Sequence, residues 1–272
     1  GNTMATECCY CGNPVMLPSR FNGMLKPDFV IPFKKTKEDA VAQLKEFYKG
    51  KWLLPKAFTA GNRVESIQPM YVPFWLFDSE VTASAEFKAE SDTVYETQDE
   101  RVTETNVYRC DRRGKMRFRR IPVDGSNKMD DTYMESIEPY DYGDLKPFSS
   151  AYMAGCLADK YDVDAEAAAP RADERVRKSA VGVLEDTVEG YMRRELVNDV
   201  INKGEGSVSY AMAPVWILTT RYEDKPYTFM MNGQTGKMVG SLPWDKNKAN
   251  LYWAGSTAVL TAVFYFLVRM FV

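Results

Sequence analysis

The sequence predicts an α+β protein of antiparallel sheets with packed helices, preceded by half a zinc ribbon and followed by one C-terminal transmembrane helix. Three observations predict it. Helical periodicity and strand-like alternation succeed each other along residues 18–244, a Cys-x-x-Cys-Gly run begins at Cys8, and Ala249 to Val268 contains no charged residue. A 45% hydrophobic and 27% charged composition is that of folded protein, and a net charge of −3 sets up no global basic field of the kind that draws nucleic acid. The chain has no histidine. Ser-His-Asp triads, Cys-His dyads and His-ligated metals are therefore excluded, and any catalysis would rest on Lys, Asp, Glu, Tyr or Cys.

Residues 1–17 read as the second half of a zinc ribbon. Cys8 and Cys11, followed by Gly12, have knuckle spacing, but tetrahedral zinc needs four ligands, so a structural zinc site is incomplete in this chain. The companion knuckle is expected upstream of Gly1. Two alternatives stand beside this: ordinary thiols, or recruitment of Cys110 or Cys156, which lack the spacing. Five cysteines, three of them crowded at 8, 9 and 11, fit a reducing compartment better than a disulfide framework.

The body, 18–244, alternates helix and sheet. In "KKTKEDAVAQLKEFY" Thr36 is the expected N-cap, with Glu38 and Asp39 in the first turn and Ala40, Val41, Leu44, Phe47 and Tyr48 as the apolar stripe. "MYVPFWLFDSEVTASAEFKAE" reads as a strand, followed by "ERVTETNVYRC" and "GKMRFRRIPV" with a turn at Gly114, together an antiparallel meander. Beyond it, "FSSAYMAGCLADKY" reads as a helix. A second helix is expected from Pro170, with Asp173 and Glu174 in its first turn and Val176, Ala180, Val183, Leu184 and Val188 along one face. "SYAMAPVWILTTRYED" and "KPYTFMMNGQTGKMVGSL" read as strands. The cores "PFWL" and "PVWI" suggest that about 27–123 and 140–243 are copies of one helix-then-sheet unit; a chance sharing of Pro-x-Trp is the alternative.

Residues 249–270 read as a membrane span. The 20 uncharged residues from Ala249 would reach ~30 Å, the thickness of a hydrocarbon core. Trp244, Tyr252 and Trp253 stand where amphipathic rings favour the interface. Ala254, Ala258 and Ala262 share a face that would let another helix approach, unless the spacing is the accident of an Ala-rich helix. Lys246 and Lys248 against Arg269 give a slight bias toward a cytoplasmic body.

Four stretches could carry chemistry. In "DRRGKMRFRR", Lys115, Arg117 and Arg119 would share one strand face, open to phosphates, anionic lipid or an acidic protein, or simply solvated. The block Asp124, Asp130, Asp131, Glu135, Glu138, Asp141 and Asp144 lacks EF-hand spacing and reads as turns and caps, or as an acidic docking surface. "GQTGK" is too short between its glycines for a phosphate loop, and Asn232-Gly233 reads as a hairpin turn in which both residues tolerate positive φ. Trp75 and Trp216 read as core, with a ligand pocket as the alternative.

"CYCGNPV", "LKPDFVIPFK", "YVPFWLFD", "IPVDGSNKMDDTYMESIEPYDYGDL", "AGCLADKYDVDAE", "PVWILTTRY" and "NGQTGKMVGSLP" together resemble a family of bacterial, mostly Gram-positive, TFIIB-type zinc-ribbon-containing membrane proteins. Cys8 and Cys11 match the second knuckle of that family's ribbon. The resemblance implies a membrane-associated adaptor in envelope-stress response or membrane-scaffold assembly, with a membrane scaffold or flotillin-like (band-7) protein as partner and the soluble body on the cytoplasmic side of the cell membrane. It supplies no catalytic residues. A non-enzymatic adaptor is thus the leading expectation. A membrane-tethered nucleic-acid-binding module comes second and an enzyme using the acidic block third; tethering to a membrane favours lipid or an acidic protein partner over nucleic acid.

Overall fold

The computed structural model describes residues 5–7, 14–16, 25–61, 64–96 and 100–271. The protein is α+β with a mixed sheet. In chain order the elements are β1 (Ala5–Glu7), β2 (Pro14–Met16), β3 (Phe29–Val30), α1 (Lys37–Tyr48), α2 (Lys56–Gly61), β4 (Val64–Glu96), β5 (Arg101–Asp124) and α3 (Asp131–Ser136). After them come β6 (Lys146–Pro147), β7 (Leu157–Ala158), α4 (Ala165–Asp186), β8 (Arg193–Tyr222), β9 (Lys225–Asn232), β10 (Met238–Gly240) and α5 (Lys246–Phe271). Two units divide the chain: Gly1–Ile31, Tyr71–Asp131 and Tyr142–Ala213 form one, and Pro32–Met70, Thr132–Asp141 and Pro214–Val272 the other.

In the first unit β4 and β5 form a long antiparallel hairpin, in register from Phe74↔Asp124 to Glu96↔Arg101 apart from a bulge between Phe77 and Ser79. Small and aromatic residues alternate inward along β4 (Val81, Ala83, Ala85, Phe87, Ala89), and α4 covers them with Val176, Ala180, Val181 and Leu184. The alanines are what lets a helix lie close on the sheet. β3 runs parallel to β8 and antiparallel to β6.

In the second unit β8, β9 and β10 form an antiparallel meander, with Val215↔Asn232 and Met238↔Met231 marking the register. Helix α1 packs Ala40 and Leu44 on Trp216, Leu218, Phe229 and Met231. Its start is a capping box: Asp39 N donates to Thr36 Oγ1 (3.2 Å) and Thr36 N to Asp39 Oδ2 (2.9 Å), satisfying two of the free donors of a helix N-terminus.

One corner is built twice. In the first unit Gly125 N donates to Pro73 O (3.0 Å), and Gly125 O accepts from Asp162 N and Val163 N (3.0 and 3.1 Å). Trp75 Nε1 donates to Val163 O (2.8 Å), and the next residue, Asp164, is the N-cap of α4. In the second unit Gly233 N donates to Pro214 O (2.8 Å), and Gly233 O accepts from Lys34 N and Lys35 N (both 2.9 Å). Trp216 Nε1 donates to Lys35 O (2.9 Å), and the next residue, Thr36, is the N-cap of α1. An aromatic residue of the lead-in meets each indole edge-on: Tyr161 at 5.2 Å from Trp75 and Phe33 at 5.5 Å from Trp216. The folded unit is therefore a Pro-x-Trp hairpin, an Asx-Gly turn and a helix that arrives from the other half of the sequence. Trp75 and Trp216 are buried structural residues, at 4% and 8% exposure, each committed to a hydrogen bond and ring contacts within its corner.

Several local expectations are corrected. Gly114 is no turn: β5 runs through it, paired with Ala83, and a Cβ there would stand 3.3 Å from Met116 Cε and 3.5 Å from Leu184 Cδ2. The glycine leaves room beside Met116 and Leu184 where α4 packs on the sheet. The helix expected over 148–161 is a 3₁₀ turn, Ser150–Met153, and the short β7, interrupted by Gly155 at φ 76°. Helix α4 starts at Ala165, not at Pro170, which sits inside it at the cost of one backbone bond. Val183 is half exposed, and Val181 takes its place in the core. At Asn232-Gly233 neither φ is positive; Gly236, at φ 84°, makes the reversal, and Gly233 is needed because a Cβ would lie 2.5 Å from the Phe33 ring and 2.9 Å from Pro214 Cβ.

Gly233→Ala in the detergent-solubilised full chain is expected to lower unfolding free energy by about 1–3 kcal/mol through overpacking. Gly182→Ala, where the added Cβ meets nothing within 4 Å in α4, is expected to raise it by about 0.5–1 kcal/mol. Urea titrations of both variants check the pair.

Candidate functional site

The three residues of the expected basic face lie on β5. Lys115, Arg117 and Arg119 are exposed and alternate with half-buried Met116 and Phe118, which pack against the first unit's core. The charges are not unopposed. Arg117 lies opposite Glu80 on β4 and forms an ion pair with it, and Arg109 pairs with Glu86 at 2.9 Å. Lys115 and Arg119 carry no ion pair among the described residues. At the bulge Arg120 takes φ 57°, with its N–H donating to Asp78 Oδ1 (2.8 Å) and its guanidinium to Tyr142 O (2.6 Å). An ≈ 410 Å³ groove there is lined by acids as well as bases, Asp78, Glu80 and Glu205 beside Arg117, Arg119 and Arg120. Such a mixed surface recognises a partner with both signs of charge better than a bare phosphate backbone. Among the described residues β5 pairs with β4 alone, and a lysine- and arginine-rich outer strand also discourages unwanted strand addition.

The candidate metal ligands Cys8 and Cys11 lie outside the described residues. The strands on either side of them, β1 and β2, pair antiparallel with Ala5↔Met16 and Glu7↔Pro14. Among the described residues no group of three or more Cys, Asp or Glu is placed to hold a metal. Cys110 is part of the first unit's apolar core, and burial pushes the Cys156 thiol up to about 11, which disfavours the thiolate that zinc binds. These two cysteines read as core residues.

The acidic block is dispersed. Asp131 pairs with Arg171 at 3.1 Å, and Asp141 N donates to Gln234 Oε1 at 2.7 Å. The exception is Asp124, in the Asx-Gly turn of the first corner. It is 3% exposed; Oδ1 accepts from Ser126 N (3.2 Å), and Oδ2 has no hydrogen-bond partner among the described residues. Its counterpart in the second corner is Asn232, whose Oδ1 accepts from Gln234 N (2.9 Å) while Nδ2 donates to Ile137 O and Pro139 O (3.0 and 3.3 Å). The same turn thus carries a satisfied amide in one place and a half-satisfied acid in the other. Desolvation pushes the Asp124 carboxyl up to about 7. Beside it, buried Asp159 accepts from Ser126 Oγ (3.1 Å) and forms an ion pair with Lys128, so that charge is compensated.

Tyr252, Trp253, Ala254, Ala258 and Ala262 belong to α5, and Trp244 lies just before it. Helix residues 250–270 are exposed except for half-buried Ser256, including Ala254, Ala258 and Ala262. Trp244, Tyr252 and Trp253 are exposed at 64%, 56% and 68%. Sequence reasoning missed Trp52, which is 56% exposed with its ring 4.9 Å from that of Tyr252; the apolar run Trp52-Leu53-Leu54 between two lysine-bearing stretches was the only local signal.

These features define an α+β protein with a twice-built corner, a mixed-charge strand face and a C-terminal helix long and apolar enough to span a membrane. Over 242 residues the chain is 36% identical to the Bacillus subtilis (strain 168) protein named Uncharacterized protein YdjG, a match covering 88% of this chain and 70% of that protein. The chain belongs to the family of that protein. No family model and no solved structure matches it.

An acid whose folded pKa is raised stabilises the fold only while it is protonated. Its contribution is complete below about 4 and is lost as pH rises through about 7. Asp124→Asn is therefore expected to gain on wild type by up to about 4 kcal/mol between pH 4 and pH 8, read from chemical unfolding of the full chain at each pH.

Proposed function

We propose that the chain is a single-pass docking protein of the bacterial cell membrane, held by α5 with its folded units in the cytoplasm. The observation that carries this reading is the exposure of α5: an apolar helix of membrane-spanning length presents its side chains outward, where a core helix would hide them. Lys246 and Lys248 on the body's side favour a cytoplasmic body, although Lys248 also donates to backbone carbonyls. The small face Ala254, Ala258 and Ala262 gives α5 a surface for another helix.

The docking surface is the outer face of β5, centred on Lys115 and Arg119, together with the ribbon edge. Zinc on Cys8, Cys11 and a second knuckle would be structural, replacing a core that so short a segment cannot build. The resemblance to zinc-ribbon membrane proteins points to a membrane scaffold or band-7 type protein as the partner and to envelope stress or scaffold assembly as the setting. This reading has no catalytic step.

The test uses the full chain in its native host. Membranes are extracted in mild detergent and proteins co-purifying with wild type are compared with those of a Lys115→Glu/Arg119→Glu variant. Arg117 stays unchanged, because Glu there would face Glu80 and perturb the hairpin itself. A membrane protein recovered in stoichiometric amount with wild type and at least tenfold depleted with the variant is the expected result. Equal recovery with both would remove β5 from the docking surface.

A further inference from the structure

Helix α5 does not hang from a loose linker. Asp245 caps it, accepting from Asn247 N and Lys248 N (3.0 and 3.1 Å), and Asp245 N donates to Leu53 O (2.8 Å). Lys248 Nζ donates to Leu54 O (2.8 Å) and Trp52 O (3.4 Å), and Ala249 is buried at 5% exposure. The first turn of the helix is thus bonded to the segment between α1 and α2, all of it within the second unit.

That attachment sets the depth of Trp52. Tyr252 lies six residues into α5, ~9 Å along its axis, at the edge of the uncharged stretch. The Trp52 ring packs on Tyr252, yet more than half of it faces outward. A large indole held open beside a span edge, with Tyr252 and Trp253 at the same level and Lys51 next to it in sequence, has the composition of an interfacial belt: rings among the headgroups, ammonium groups toward phosphate.

We infer that the exposed 49–52 segment is a lipid-contacting foot, with Trp52 seated in the headgroup layer beside Tyr252 and Trp253. The second unit is thereby fixed on the bilayer surface at two points. This rests on reading α5 as a membrane span, and the test separates the two ideas. Full-length chain is reconstituted in phosphatidylcholine/phosphatidylglycerol vesicles with or without brominated phosphatidylcholine, and tryptophan quenching is measured for wild type, Trp52→Phe and Trp253→Phe. Trp75 and Trp216 are buried in the protein and contribute an unquenched background.

If the foot is seated, each replacement removes a comparable share of the quenchable emission, roughly a third, because Trp52, Trp244 and Trp253 supply it. If Trp253→Phe removes its share and Trp52→Phe removes none, the helix inserts and the foot does not touch lipid, which overturns the inference alone. If neither changes the quenching, α5 is not in the bilayer and both ideas fall.

Discussion

Two indole-to-carbonyl hydrogen bonds hold the architecture in register. Trp75 to Val163 O and Trp216 to Lys35 O each tie a strand to the residue immediately before a helix N-cap, so that one bond sets both the height of the strand and the point where the helix begins. The Asx-Gly turn completes the lock, since its glycine donates to the Pro-x-Trp proline and accepts twice from the helix lead-in. Polar backbone that enters a core must find partners, and here two strand–turn–helix junctions find the same ones. Two copies of one unit, exchanged between the halves of the sequence, would leave this likeness.

The difference between the copies is as informative as the likeness. Where the second turn has the amide of Asn232, which donates to two carbonyls, the first has a carboxyl with one idle oxygen. Neutral Asp124 fits its surroundings and ionised Asp124 does not, so the first corner is tied to protonation of this carboxyl, whereas the amide of Asn232 does not titrate. The second unit carries the other distinguishing element, α5, whose first turn is part of the folded body. A helix attached in this way is held to the rest of its own unit, where a flexible linker would only keep it nearby.

Legibility in the sequence followed the range of the interactions. The Thr36 cap and the apolar stripe of α1 were readable because capping and helical spacing act over three or four residues. The alternation of Lys115, Arg117 and Arg119 with Met116 and Phe118 was readable for the same reason. The twin corners were visible only as a repeated Pro-x-Trp, because the indoles find their acceptors 88 and 181 residues away. The ion pair of Arg117 with Glu80 and the tilted ring contact of Trp52 with Tyr252 are likewise long-range and leave no local pattern. Strand lengths were underestimated where pairing overrides composition: β8 begins at Arg193, where charges and glycines interrupt the signal of Val197, Val200 and Ile201, and β5 passes through Gly114 because the residue stays paired with Ala83 on β4. The CxxC run at Cys8 and Cys11 was the easiest motif to read, and it lies outside the described residues.

The twin corners are tested most directly by indole hydrogen exchange. In the ¹⁵N-tryptophan-labelled full chain in detergent, assigned by single Trp→Phe replacements, the Nε1–H groups of Trp75 and Trp216 are predicted to exchange far more slowly than those of Trp52, Trp244 and Trp253, and to be released together with the core amides as denaturant is added. Exchange of either core indole at the rate of the exposed three would contradict the account, because the bond that sets strand against helix would then not be there.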